Sequence, residues 1–167
     1  MKSRVRIHLL APGDEEEFLG AVQRSGGLHG RWTAPPSTSL QFRAHFARMS
    51  ESGNAGFLVR RVDDHALVGA IELTHVVLGR FRSGYVAYYG FEGHQRQGLM
   101  AEGVSALVRH AFGAMKLHRL EANIQPGNLA SIALARSCGF AQEGFSPRYL
   151  KIGGRWRDHE RWAILAS

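Results

Sequence analysis

The chain has 167 residues, of which 44% are hydrophobic and 21% charged, a composition that excludes the disordered and membrane-embedded classes of protein. A chain of this length buries roughly 70% of its unfolded surface, so we expect one domain over residues 1–167. The 21 basic and 14 acidic residues leave a net charge of +7, which favours anionic partners such as nucleic acid, the ribosome, acidic lipid or a phosphorylated cofactor.

The single cysteine and the apolar runs bear on the cellular compartment. Cys138 excludes an internal disulfide and fits a reducing compartment, so we expect a cytoplasmic protein in which this thiol is buried and inert. The first residues contain only a short apolar patch that leads into acidic residues, which predicts a strand rather than a signal peptide. No run approaches the roughly 20 apolar residues of a membrane helix.

The first third of the chain predicts one strand and two helices. Residues 3–9 alternate as in a strand, and Asp14–Gln23 has acids in its first turn followed by spaced apolar residues, as in a helix. Glycines and prolines between Gly26 and Pro36 predict a loop that carries Trp32. A second helix is expected over Thr38–Met49, with its apolar residues on one stripe.

The middle of the chain changes to strand-like runs and then to a long helix. Residues 56–89 contain three β-rich runs separated by polar or glycine-containing turns, which predicts an antiparallel meander. Over Leu99–Met115 the apolar residues recur at helical spacing, so this segment gives the strongest helix signal in the sequence.

The last third predicts a strand, a helix and a hairpin. His118–Gln125 has the pattern of a strand, and Asn128 is a good N-cap for a helix over Leu129–Cys138. We expect that helix to be buried, because it is nearly all apolar. Gly139 suits a left-handed helix stop, and Gly153-Gly154 suits a two-residue hairpin turn.

The stretch HQRQGLM, residues 94–100, precedes the long helix without a serine, threonine or aspartate to cap it. A helix start exposes backbone amides and the positive end of a dipole worth about half an elementary charge, which suits an anion. Arg96 adds a forked donor, Gln95 and Gln97 add amides, and Gly98 lets the backbone approach a ligand closely. The same residues also fit an ordinary turn whose amides face water. Neither a Walker A motif nor the dinucleotide-binding glycine pattern is present.

The order of strand, polar loop, Gly-Leu-Met, amphipathic helix, strand and Asn-x-x-Ser helix resembles the GNAT acyltransferases. Met100 departs from the general loop pattern Gln/Arg-x-x-Gly-x-Gly/Ala, but the RimJ/RimL-type ribosomal-protein-alanine N-acetyltransferase branch also has Gly-Leu-Met there. The segments that resemble this branch are VGAIELTHVVLGRF (68–81), GYVAYYG (84–90), LHRLEANIQPGNLAS (117–131), CGF (138–140) and GRWRDH (154–159).

This resemblance implies an α+β (mixed α/β) fold, with a central, mostly antiparallel, splayed sheet of about seven strands flanked by about four helices. It also implies acetyl-CoA as the co-substrate. In the family a loop wraps the pyrophosphate, and strand backbone together with an asparagine holds the pantetheine arm. The corresponding residues here are Tyr89, Gly90, Phe91, Gln95, Arg96, Gln97, Gly98, Leu99, Met100, Asn128 and Ser131.

The resemblance assigns Ser131 the hydroxyl that protonates the departing thiolate. Asn128 and Ser131 are three residues apart and share one side of a helical turn, but both also fit a plain helix cap. No position matches a well-defined family base. Glu72 interrupts an apolar run and fits a partly buried base with a raised pKa, although an edge-facing or ion-paired acid fits the pattern too. Glu121 and Tyr149 are its rivals.

The implied function is transfer of an acetyl group to a primary amine, above all the N-terminal α-amine of a protein or peptide such as a ribosomal protein. A small amine, such as an antibiotic, a polyamine or an amino-acid-like molecule, is the alternative acceptor. An alternative of another class is a non-catalytic basic module that binds RNA or the ribosome. Trp32, Glu72 and Tyr149 are the expected acceptor contacts.

The remaining expectations concern partners and metals. The nine histidines show no metal-ligand spacing, so no metal site is expected. Association with the ribosome is compatible with the charge, whereas binding to a membrane or to specific DNA is not expected. The chain is expected to act as a monomer or a homodimer.

Overall fold

Seven apolar or alternating runs of the sequence form strands of one sheet in the computed structural model, which describes residues 2–167. The strands are β1 (Val5–Leu9), β2 (Ala55–Arg61), β3 (Leu67–Val77), β4 (Ser83–Gly90), β5 (Arg119–Ile124), β6 (Ala141–Ile152) and β7 (Arg155–Leu165). The predicted first strand, meander and terminal hairpin are confirmed. Gly153 and Gly154 both have positive φ (58° and 78°), as the predicted hairpin turn requires.

Helices connect these strands and cover both faces of the sheet. They are α1 (Glu15–Arg24), α2 (Gly26–His29), α3 (Ser39–Met49), α4 (Leu99–Gly113) and α5 (Leu129–Ser137). Thr38 caps α3 by accepting a hydrogen bond from the Gln41 amide at 3.2 Å. At the end of α5, Gly139 adopts a left-handed φ of 91°, as predicted. Within the described chain, no helix is both long and apolar enough to cross a membrane.

The strand order creates the feature on which the site depends. The order is β1-β2-β3-β4-β5-β7-β6, and every neighbouring pair is antiparallel except β4 and β5. Those two parallel strands pair only from Ser83 opposite Arg119 to Tyr85 opposite Glu121. Beyond that point they separate, so the mixed, splayed sheet implied by the resemblance is confirmed.

Two apolar cores lie on opposite faces of this sheet. The larger core joins α4 and α5 to the sheet, and the smaller one joins α1 and α3 to it. A Cβ at Gly103 of α4 would lie 2.8 Å from the Val59 side chain, so glycine allows this helix to pack closely on β2. The two helical layers therefore fix the strands on both sides of the gap between β4 and β5.

Three expectations about the helices and the thiol need correction. The loop predicted from Gly26 contains the short helix α2, which is a fifth helix in residues 2–167 beside the about four that the resemblance implied. Helix α5 is only partly buried, because one side faces solvent and Leu129 is 73% exposed. Cys138 is half-buried rather than buried, and its thiol lies 3.4 Å from the Ala101 carbonyl oxygen of α4.

Candidate active site

The start of α4 is an uncapped helix end that follows directly from β4. Gly98 is the N-cap residue with a left-handed φ of 74°, and no side chain caps this end of the helix within residues 2–167. Glycine is the residue that adopts this conformation without strain. The first backbone amides of α4 therefore remain available to an acceptor from outside the chain.

The glutamine side chains of the loop form hydrogen bonds within the loop, whereas the sequence suggested that they would donate to an anion. Gln95 accepts a hydrogen bond from the Gly93 amide at 2.8 Å and donates one to Glu92 at 2.6 Å. Gln97 donates to the Gly93 carbonyl at 3.2 Å. Both glutamines thus brace the loop, which leaves its backbone and the exposed Arg96 to meet a ligand.

Arg4 is a loop-supporting residue that sequence reasoning did not find. Its guanidinium hydrogen-bonds Glu102 in the first turn of α4 at 2.6 Å and the Gln97 carbonyl at 3.0 Å. These contacts tie the segment before β1 to the start of α4. No sequence signal could have identified Arg4, because it lies more than ninety residues from its partners.

The exposed edge of β4 runs from this loop toward the gap in the sheet. The Phe91 amide donates to the Val68 carbonyl at 2.8 Å, so strand alternation turns the backbone of Tyr89 and Phe91 toward β3. Tyr88 and Gly90 then present their backbone to the gap. Of the three residues expected to pair with a pantetheine arm, only Gly90 is directed there, and Tyr88 joins it. His29 Nε2 holds the Gly90 carbonyl at 2.8 Å.

The first turn of α5 forms the opposite side of the gap. Asn128 caps it by accepting a hydrogen bond from the Ser131 amide at 3.3 Å, as the sequence predicted. The Tyr88 hydroxyl donates to the Ser131 carbonyl at 2.8 Å, which joins β4 to α5. The Ser131 backbone is thereby fixed, while its side chain lines the cleft described next.

Between these elements lies a cleft of about 180 Å³. It brings together several residues that the sequence singled out, namely Trp32, Glu72, Tyr89, Asn128 and Ser131. Tyr149 does not line it: Leu150 takes that place, and the Tyr149 ring lies beside the cleft, 6.3 Å from the ring of His159. The expected direct contact of Tyr149 with an acceptor is therefore not supported.

Glu72 enters the cleft from β3 beneath α3. Its side chain is 19% exposed, and burial raises its pKa, although the nearby Arg48 guanidinium opposes that shift. His45 Nε2 lies 3.6 Å from Glu72 Oε1. Burial and Arg48 lower the pKa of His45 to about 4, so at neutral pH this histidine is uncharged and the contact is not an ion pair.

Glu121, one of the two rivals of Glu72, is less suited to accept a proton. The Glu121 carboxylate is bound by Arg119 Nε at 2.6 Å, and Arg119 also binds Glu143 on β6. Tyr85 lies next to Glu121 in the sheet, and burial followed by the charge of Glu121 raises the pKa of this tyrosine to about 12. Glu72 is thus the carboxylate of the cleft that no guanidinium binds directly within the described chain.

Two buried polar atoms in the cleft lining have no hydrogen-bond partner among residues 2–167. They are the Tyr89 hydroxyl and Asn123 Oδ1. A buried polar group without a partner costs about 1–3 kcal/mol, which a ligand can recover by supplying the partner. Asn123 was not found from the sequence, because only its register on β5 places it at the cleft.

The comparisons with known proteins agree with this arrangement. Residues 4–141 match the family model described as Acetyltransferase (GNAT) domain. The chain belongs to the GNAT family. One GNAT relative is the "Probable N-acetyltransferase YjcK" of Bacillus subtilis, which is 33% identical over 71% of this chain and 65% of its own length. Another is the Escherichia coli "[Ribosomal protein uS5]-alanine N-acetyltransferase", 36% identical over 61% of this chain and 53% of its own length.

The chain therefore spans between about half and two thirds of these curated relatives. Among solved structures, Mycobacterium smegmatis RimJ in complex with CoA-disulfide superposes with a TM-score of 0.88 at 23% identity, covering 98% of this chain and 83% of that one. A Vibrio cholerae spermidine N-acetyltransferase with CoA and spermine gives 0.82 at 20% identity, covering 98% and 96%. At these identities both likenesses show the GNAT fold alone.

GNAT acetyltransferases use acetyl-CoA, and the geometry here fits that molecule. The uncapped start of α4 suits its pyrophosphate, and the unpaired edge of β4 offers hydrogen bonds to an extended amide-containing arm. The cleft at the end of that edge is lined by Ser131 and Glu72. These three features lie in the order in which the phosphates, the arm and the thioester of acetyl-CoA follow one another.

Proposed function

We propose that this protein transfers the acetyl group of acetyl-CoA to a primary amine, with both substrates held at the cleft together. The observation that carries this proposal is the continuity of an uncapped helix start, an unpaired strand edge and a cleft with a free hydroxyl and a carboxyl. Acetyl-CoA supplies an acyl group activated as a thioester. Everything else in the reaction is positioning and proton transfer by this chain.

We assign the binding roles as follows. The backbone from Gln95 to Met100 binds the pyrophosphate, with Arg96 as an exposed cation beside it. Tyr88 and Gly90 pair with the pantetheine arm through their backbone, and Asn128 borders that arm from α5. A backbone amide of the β4 edge that points into the gap also suits the thioester carbonyl, where a donor stabilises developing negative charge.

Two side chains receive the catalytic roles. Ser131 Oγ donates its proton to the leaving sulfur, a role supported by its place in the cleft and by the two hydrogen bonds that fix its backbone. Glu72 accepts a proton from the entering amine, which its raised pKa and its position in the cleft support. Trp32 lines the other side of the acceptor entrance.

The acceptor we propose is the N-terminal α-amine of a protein or peptide, of the ribosomal-protein type. An α-amine titrates near 7.7–8.0 and is about a tenth neutral at pH 7, whereas a lysine near 10.4 is almost wholly protonated. The cleft contains one carboxylate that no guanidinium of residues 2–167 binds directly, and this carboxylate can accept a proton from an amine with such a low pKa. The name of the uS5-alanine relative agrees with this class of acceptor.

A small amine is the second candidate acceptor, because the fold also superposes on a spermidine N-acetyltransferase. A polyamine carries several positive charges and would be bound best by several carboxylates. Among the described residues that line the cleft, Glu72 is the only acidic one. The charge of the cleft therefore favours an acceptor with a single amine.

Mass spectrometry of acetylated products tests the activity and the acceptor together. The protein is incubated with acetyl-CoA and three matched groups of acceptors: peptides with a free N-terminus, the same peptides with a blocked N-terminus and a free lysine, and small amines. We expect acetylation of the first group. Acetylation of small amines alone would refute the proposed acceptor class. If no amine caused release of the coenzyme A thiol and the protein bound RNA, a non-catalytic binding module would be favoured instead.

A further inference from the structure

His159 of β7 is a titratable group in the cleft, and it has no role in the acetyl transfer as proposed so far. It is only 3% exposed, and it lines the same cleft as Glu72 and Ser131. In the sequence it belongs to the segment GRWRDH (154–159), which resembles the family but was given no role in the reaction. Its hydrogen bonding determines which ring nitrogen can accept a proton.

The tautomer of His159 is fixed by its own strand. Nδ1 lies 2.9 Å from the Arg157 carbonyl oxygen, which can only accept, so Nδ1 carries the hydrogen. In a neutral imidazole the other nitrogen, Nε2, then holds a lone pair and is a proton acceptor. In the portion of the chain that the structure describes, Nε2 has no hydrogen-bond partner.

Asn123 places a second acceptor on the same wall of the cleft. It lies opposite Arg161 on β7, and His159 precedes Arg161 by two residues on that strand, so strand alternation puts the side chains of Asn123 and His159 on one face of the sheet. The buried Oδ1 of Asn123 is without a donor among residues 2–167. An amine brings N–H donors, which is the chemistry that both atoms lack.

The proposed reaction needs more than one proton acceptor. An acceptor that enters as an ammonium group has three N–H bonds, and the amide product keeps one, so the nitrogen loses two protons. The leaving sulfur takes up one proton, and one is released overall. Glu72 accounts for one loss and Ser131 for the uptake, which leaves the second loss without a residue.

We propose that His159 is a catalytic residue, whose Nε2 accepts the amine proton released as the C–N bond forms and the C–S bond breaks, while Asn123 Oδ1 holds the remaining N–H. This inference rests on the proposed acetyl transfer. The imidazolium then returns its proton to water, and the proton taken up by Glu72 restores the Ser131 hydroxyl through solvent, so one proton is released overall. Glu72 and His159 thus approach the amine from opposite walls, one from β3 and the other from β7.

The charged and titratable groups around His159 are few. Tyr149 of β6 packs against its ring at 6.3 Å, and Glu72 and Tyr89 face it across the cleft. Its own strand contributes Arg157 and Arg161 on the face of His159, and Asp158 and Glu160 on the opposite face. Arg161 is directed toward Gly144 on β6. Glu72 is thus the only acidic residue among the described residues that line the cleft with His159.

Two substitutions separate proton acceptance from hydrogen bonding. His159→Asn keeps a donor that can reach the Arg157 carbonyl but has nothing at the position of Nε2. His159→Gln places a neutral amide near that position, which hydrogen-bonds but does not take a proton. Both variants should lose about 100-fold in kcat near pH 7, with an unchanged KM for acetyl-CoA and unchanged calorimetric binding of coenzyme A. The deficit should shrink above pH 9, where hydroxide competes for the proton that the nitrogen loses as the C–N bond forms.

His118→Gln is the matched control, since His118 is exposed and lies just before β5; it should leave the pH profile of kcat unchanged. A wild-type-like profile in either His159 variant would overturn the inference, and activity retained by His159→Gln but lost in His159→Asn would reduce His159 to a hydrogen-bonding group. If one variant fails to fold, the other decides. A wild-type protein that transfers no acetyl group contradicts the proposed function itself, so the two failures are distinguishable.

Discussion

Glu72 shows at the scale of a single residue how burial adapts a carboxyl to proton transfer. Burial raises its pKa and brings it closer to that of an amine, which makes proton transfer from the amine less unfavourable. Glu72→Gln should lower kcat about 100-fold at pH 7 and much less at pH 9, where solvent deprotonates more of the acceptor. Steady-state kinetics across this pH range test this, and an unchanged profile would remove Glu72 from the mechanism.

The same burial has a cost in stability. A carboxyl whose pKa is higher in the folded than in the unfolded protein destabilises the native state at high pH. The full destabilisation is reached once the pH has risen above the folded pKa. Glu72→Gln should therefore raise the melting temperature at pH 7 to 8, and the gain should disappear as the pH falls below about 4, where the wild-type carboxyl is protonated in both states. Glu16→Gln, at an exposed position of α1, is the control in these melts and should show little change.

Ser131 is predicted to act on the leaving group and not on cofactor binding. Ser131→Ala removes the hydroxyl but keeps the backbone amide and carbonyl that bind Asn128 and Tyr88. We expect kcat to fall at least about tenfold while the dissociation constant of coenzyme A is unchanged. Ser137→Ala, on the exposed end of the same helix, should change neither quantity. An equal loss of binding in Ser131→Ala would indicate a structural role instead.

At the scale of elements, the start of α4 makes the sharpest prediction. Alanine at Gly98 would have to adopt a left-handed φ of 74°, at a cost of about 1–2 kcal/mol, and its Cβ would lie 3.4 Å from the Arg4 guanidinium. Gly98→Ala should therefore lower the stability and weaken coenzyme A binding about tenfold by calorimetry. Gly113→Ala, at the other end of α4 with open space around it, should leave that binding intact and stabilise the helix.

Elements whose apolar residues recur at a regular spacing were predictable from the sequence, and elements without such a spacing were not. The spacing of apolar residues identified α4 to within two residues of its end, and the glycine pair fixed the turn between β6 and β7. Helix α2 was missed because its Gly-Gly start is typical of a loop. The burial of α5 was overestimated, because Leu129 and its neighbours are apolar yet face solvent.

At the scale of the whole molecule, the pairing register of the strands decides which side chains meet, and the apolar pattern of this sequence does not reveal that register. Glu72 lies opposite Ala87 on β3 and β4, while Asn123 lies opposite Arg161 on β5 and β7. These pairs flank the gap on either side, although about fifty residues of chain separate Glu72 from Asn123. The uncapped loop before α4 could be predicted because its signal is local, whereas the positions of Asn123, His159 and Arg4 required the fold.

The net charge of +7 makes a prediction about the whole molecule as well. A positive surface attracts a polyanionic cofactor over distances near the Debye length, which falls from about 10 Å at 0.1 M salt to about 3 Å at 1 M. The KM for acetyl-CoA should therefore rise several-fold between about 0.05 and 0.5 M salt, with little change in kcat. Acetyl-3′-dephospho-CoA carries less negative charge and should show a shallower rise. An equal rise for both would mean that salt acts on the fold or on the acceptor, and not through attraction of the cofactor's phosphates to the surface.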